Sequence, residues 1–307
     1  MTARRVWEMT KASVGAWRAD RASSMGGALA YYTLFSIAPV LIIAIAVAGF
    51  VFGEEVARGE IATQLRGLLG DEGARAVQGL LQTARRPMEG VFTTLVSVGV
   101  LVVGATSVFS ELQTDLDVIW KAESVERKAG LWSLLRARIL SFGVVLALGF
   151  LLLVSLIVSA GLGALGKWWG AYFEGWDVFL EVANFVFALI VTTGLFAMIY
   201  KWLPSVPIRW RDVWVGAGVT AILFTLGKTL IGLYIGRSSV ASGFGAAGSF
   251  VVLLVWVYYS TQIFLLGAEF TGVYAREHGS HAGRAVDRSA RGREQSAPAE
   301  ARRAPSR

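Results

Sequence analysis

Four ionisable residues stand in or beside the apolar runs of this sequence: Glu111, Asp115, Lys228 and Glu269. An ion facing hydrocarbon is costly even on lenient insertion scales, so each is expected to face protein or a wet cavity. Glu111 and Asp115 sit four residues apart on a helical pattern, where like charges repel and call for a cation or water. Glu269 is the single charge in Phe244–Phe270, FGAAGSFVVLLVWVYYSTQIFLLGAEF. Lys228 lies eight residues from Gly236 at the end of its run. That is about 12 Å, more than snorkelling can relieve in full. A cation at that depth suits a phosphate head group, and acids that gain and lose protons can couple movement to a gradient. Tyr31, Ser36 and Pro39 in the first apolar run, and Gln262 in the last, complete the candidates for a cavity lining. Arg21, Lys201 and Arg209 are the cations expected to pair with the acids at the cytoplasmic end. Each residue also has a plain reading. Proline is common in spanning helices and gives a structural kink, serine there bonds its own backbone, and paired acids often mark a solvated helix end.

Other chemistries lack their residues. The chain has no cysteine, which removes disulfides and thiolate chemistry. Its two histidines, His278 and His281, both follow the last apolar run. A metal centre needs a cluster of such ligands, so neither a metal nor any other cofactor is expected. Tyr31, Ser36, Ser249 and Ser260 have no sequence neighbour that would activate them, and an enzyme is not expected either.

The elements that must position these residues are helices in a bilayer. With 55% hydrophobic residues, 17% charged and a mean hydropathy of +0.57, a chain of 307 residues is too apolar for a soluble domain. The expected fold is all-α and polytopic, with six transmembrane helices at about 28–52, 91–112, 139–165, 178–202, 213–236 and 244–274. The first run reads as an uncleaved anchor. Residues 1–22 carry Val6, Trp7, Val14 and Trp17 among basic residues, the pattern of an interfacial helix ahead of a membrane domain over 23–275. Proline at 39 should kink or open the first span. Between the first two spans, Ile61, Leu65, Leu68 and Leu69 form one apolar face and Val77, Leu80 and Leu81 another. Gly70-Asp71-Glu72 supplies a break, so two amphipathic helices on the membrane surface are expected, as a lid or as packing. The glycines of GLGALG (161–166) and the Gly232/Gly236 pair suit close packing, and Trp168, Trp169, Tyr172 and Trp176 an aromatic belt. Residues 276–307 have almost no apolar content and read as a disordered basic tail.

Charge fixes the predicted orientation. Lysine and arginine number five in 1–22, five in 120–138, three in 201–212 and eight in the tail, against five, one and one in the alternate loops. Six spans with both ends cytoplasmic place the larger groups inside. The net charge of +7 is then a product of topology, and no nucleic-acid partner is expected.

Four segments carry a resemblance: ALAYYTLFSIAPVL (28–41), ELQTDLDVIW (111–120), YKWLPSVPIRWRDVWVGA (200–217) and FGAAGSFVVLLVWVYYSTQIFLLGAEFTGVY (244–274). In order and spacing they resemble the YihY/virulence factor BrkB family of bacterial inner-membrane proteins. The resemblance implies a six-helix, multi-pass protein of the inner membrane. Members of that family were formerly labelled ribonuclease BN, but this chain has neither the ligand cluster nor the basic channel of a metal-dependent nuclease. The functional expectation is a transporter or flippase-like protein for a lipid or other anionic amphiphile, with the bilayer and anionic lipid as partners. The alternative is a non-catalytic membrane scaffold or envelope-assembly partner, in which buried charges fix helix register and a homo-oligomer or envelope protein is the partner.

Overall fold

The computed structural model describes residues 3–84, 107–122, 176–237, 244 and 247–277. Every regular element among them is helical. In chain order these are α1 (Ala3–Ala19), α2 (Ala22–Phe52), α3 (Glu54–Ala84), α4 (107–119), α5 (Trp176–Trp202), α6 (Trp210–Arg237) and α7 (Gly248–Glu277). Three are long and apolar enough to cross a membrane: Val178–Trp202 in α5, Trp210–Tyr234 in α6 and all of α7. They coincide with the fourth, fifth and sixth predicted spans to within four residues. The third span, most of the second, GLGALG, the aromatic residues before Trp176 and the tail after Glu277 lie outside the described residues.

The bundle is assembled around α7, which packs against α1, α2, α3 and α6. Its tightest junction is with the antiparallel α6. A Cβ added to Gly216 would fall 1.7 Å from Thr271 Oγ1, and one added to Gly267 would fall 1.9 Å from Thr220 Oγ1. The threonines complete the exchange within their own helices. Thr220 Oγ1 donates to Gly216 O (2.8 Å) and Thr271 Oγ1 to Gly267 O (2.7 Å). Each helix thus sets a threonine against the other's glycine, and each threonine hydroxyl is satisfied by the backbone one turn away. Small residues at a helix interface allow this approach, and in lipid such packing replaces the hydrophobic drive between helices.

Opposite α6, α7 meets α2. Gly26 makes room for the amide of Gln262, whose Nε2 would stand 1.9 Å from an added Cβ. The element α1 is a helix and is docked on the bundle. Met9 and Ser13 are buried while Trp7 is exposed, and α1 packs on α7. On α4, Leu116 and Ile119 are fully buried in one core with Ala22, Tyr200 and Leu265.

The chain does not open at Pro39: helix α2 continues on both sides of it as one element. Likewise α3 runs unbroken through Gly70-Asp71-Glu72. Its charged residues Glu54, Glu55, Arg58, Arg66 and Arg75 are exposed, while Val77 is buried beside Ala30, Leu34, Leu253 and Val257. One amphipathic helix is therefore packed along α2 and α7, instead of two short helices lying apart from them. The α2–α3 connection is Gly53 alone. Its φ of 87° needs a glycine, and its N–H closes α2 on Gly49 O at 2.9 Å.

The Gly267→Ala variant is expected to lose about 1–3 kcal/mol of stability by forcing α6 from α7. Unfolding in detergent, with Thr220→Gly added in the same chain, should recover part of that loss.

Candidate functional site

The three apolar helices, with α2, α3 and α4, line a partly open cavity of about 330 Å3. Four aromatic side chains shape it. Phe196 stands edge-on to Phe224 (ring centroids 5.6 Å apart), Phe224 to Trp256 (6.4 Å), and Phe264 lies 6.0 Å from Phe196. Such pairs fix ring positions beyond what burial alone would do. Leu29, Ile37 and Leu112 close other sides, and Thr33, Ser260 and Thr261 bring hydroxyls. The hydroxyl of Thr261 is satisfied by Val257 O at 2.8 Å. The indole N–H of Trp256 is buried and has no acceptor among the described residues. An apolar, aromatic space of this size is the form of a small-molecule site, which is typically 300–1,000 Å3 and mostly hydrophobic.

Below the aromatic residues comes a sealed layer. Tyr200 is fully buried and donates its hydroxyl to Phe264 O at 2.8 Å, with Thr220 Oγ1 at 3.1 Å. Five residues beyond Phe264, about 7.5 Å along the helix, lies Glu269. It is fully buried, and neither carboxylate oxygen has a hydrogen-bond partner among the described residues. The charged groups that act on it are Asp20, Arg276 and Lys121.

The remaining candidates divide. Gln262 reaches Ala22 O with Nε2 at 3.5 Å and leaves Oε1 buried without a partner. Ser36 is buried, Tyr31 is exposed, and Pro39 is placed by its backbone within α2. Lys228 is exposed on α6 and does not line the cavity, contrary to the expectation that it faces the interior. Its helix turns that residue away from the seam made by Gly216, Thr220 and Gly227. Nor do the expected cations meet Glu269. Arg21 and Arg209 are exposed, while Lys201 gives its Nζ to Ile208 O and lies 5.6 Å from the Trp210 ring, bracing the α5–α6 connection. That connection is also tied to α4, because Ser205 N and Oγ both donate to the Asp117 carboxylate at 2.7 Å. Asp20, Lys121, Arg276 and Trp256 were not among the sequence candidates. Arg276 and Gln262 stand seven residues either side of Glu269, a spacing that puts all three on one helix face and was available to read.

Asp115 lies on α4 beyond the predicted second span. It is 4% exposed, and Oδ2 has no partner among the described residues. Burial, and behind it the partly buried Glu111 carboxylate, pushes the Asp115 carboxyl up from 3.8 to about 7.

A family model described as virulence factor BrkB matches residues 13–292. The chain belongs to that family. Its relatives include membrane proteins described as UPF0761 from Verminephrobacter eiseniae, 28% identical over 83% of this chain, and from Aeromonas salmonicida, 28% identical over 82%. One from Yersinia pestis is 32% identical over 58%. The chain spans 59% of the Verminephrobacter protein, 83% of the Aeromonas protein and 58% of the Yersinia protein. No solved structure matches. This BrkB-family chain is thus a membrane protein, as its relatives are described and as the three long apolar helices require.

The raised Asp115 value carries a sign. Between pH 3.8 and about 7 the unfolded chain releases a proton that the folded chain keeps, so folding stability falls across that window and is level above it. Asp115→Asn removes the fall. Relative to wild type, the variant should gain on the order of 2 kcal/mol at pH 8 over pH 4, read by unfolding in detergent at the two pH values.

Proposed function

We propose that this BrkB-family protein is a bacterial inner-membrane transporter or flippase-like protein for a lipid or other amphiphile. In this reading it crosses the membrane six times, with both termini in the cytoplasm, and acts by binding and moving its cargo without chemical change. The observation that carries the reading is the cavity. It lies between helices long enough to span, and it is apolar and aromatic, with Phe196, Phe224, Trp256 and Phe264 in its wall. An acyl chain would fill the apolar space. A protein that only scaffolds has no need of space there, since close packing is more stable than a void. With Lys228 exposed, recognition of the anionic head group falls to the basic residues at the other end of the bundle, where Lys121 and Arg276 lie near Glu269.

The test is translocation of a fluorescent anionic phospholipid in proteoliposomes. Ser260→Trp and Thr33→Trp, which fill the cavity, should each slow transfer by about tenfold or more, equivalent to about 1.4 kcal/mol of lost interaction. Lys228→Ala should stay near wild type. Unchanged rates in both filled variants, in protein that folds, would remove the transport reading in favour of the scaffold.

A further inference from the structure

The seam between α7 and the α1–α2 turn contains buried acceptors that nothing answers. Glu269 Oε1 and Oε2 lack hydrogen-bond partners among the described residues, and two turns along the same face so does Gln262 Oε1. Facing Glu269 is Asp20, in a turn held by Arg21 in the left-handed region (φ 56°, ψ 39°). Lys121, also left-handed (φ 48°), faces it from the end of α4, and Arg276 from α7 itself. The Arg276 guanidinium folds back over Gly272, where a Cβ would stand 3.3 Å from its Nη1. Neither cation forms an ion pair or hydrogen bond with Glu269 among the described residues. They offset the charge of the two acids from a distance and leave the carboxylate lone pairs open.

A buried carboxylate in that position is costly unless something positive is shared with it at close range. A second carboxylate across the seam deepens the need and supplies the other half of a coordination shell. We propose that Asp20 and Glu269 form a binding site for a small monovalent cation, either a proton or an alkali ion. Lys121 and Arg276 lower its affinity, so occupancy is exchangeable. The site is reached from the α1–α2 turn and separated from the cavity by Tyr200 and Phe264. Binding there is an equilibrium property of the folded chain, so it stands or falls independently of lipid transport.

The experiment uses the full chain purified in detergent. One arm records Tm as sodium or potassium chloride replaces choline chloride at constant ionic strength. The other records the infrared carboxylic-acid band at neutral pH in an Asp115→Asn background, which removes the contribution of that raised carboxyl. An alkali site raises Tm by about 3 °C or more at saturation. A proton site shows instead a protonated carboxyl band without an alkali effect. In either case Glu269→Gln abolishes the signal, Asp20→Asn weakens it several-fold, and Lys228→Gln leaves it intact. Should Glu269→Gln not fold, Asp20→Asn, in a half-buried turn, carries the comparison. The proposal is overturned if wild type shows neither signal, or if the signal persists unchanged in the acid variants.

Discussion

The exchange of glycine and threonine between α6 and α7 is the constraint on which the rest of the bundle depends. Two helices that meet at Gly216–Thr271 and Thr220–Gly267 are fixed in register, because a shift by one residue would drive a side chain into a backbone. That register puts Phe224 level with Phe196 and Trp256, which gives the cavity its aromatic wall. It also sets Thr220 beside Tyr200, and through Tyr200 fastens α5 to the carbonyl of Phe264. Hydroxyls that donate within their own helix add no unmet polarity to the interface. Close packing and polar satisfaction are achieved by the same four residues.

The molecule is layered along α7 as a consequence. The apolar, aromatic cavity occupies the middle of the helix. Next comes Tyr200 with its saturated hydroxyl, then Glu269 with its unsaturated carboxylate. The change from a satisfied polar group to an unsatisfied one takes place within about two turns. Buried polar atoms in native proteins are nearly all paired, so a buried carboxylate without a hydrogen-bond partner among the described residues marks that level as more than packing.

Much of this architecture was legible in the sequence. The fourth, fifth and sixth spans were set by long apolar runs, where hydropathy and helical length agree. The shared buried face of Leu112, Leu116 and Ile119 follows the 3.6-residue period of the sequence itself. Gly70-Asp71-Glu72 misled, since local breakers are weak when a helix is held along its length by α2 and α7. Lys228 misled for a different reason. Depth along a helix can be counted from the sequence, but the side of the helix that faces the protein depends on its partners, and glycines rather than charges chose that side in α6. The neighbours of Glu269 were legible only in part. Arg276 follows from spacing, whereas Asp20 and Lys121 come from turns whose left-handed residues are not glycines, and no pattern announces them.

The single-residue turn at Gly53 has a consequence for the height of the molecule. With Gly26 opposite Gln262, an antiparallel register sets Gly248, the start of α7, near Val40 of α2. The last twelve residues of α2, about 18 Å of helix, therefore continue past that start. They are almost wholly apolar, and α3 turns back at once to lie along them with its charged side outward. Along this hairpin the apolar length of α2 exceeds its overlap with α7, and α3 covers part of the excess. A bilayer meeting such an edge would thicken, or tilt the protein, at a fraction of a kcal/mol per Å.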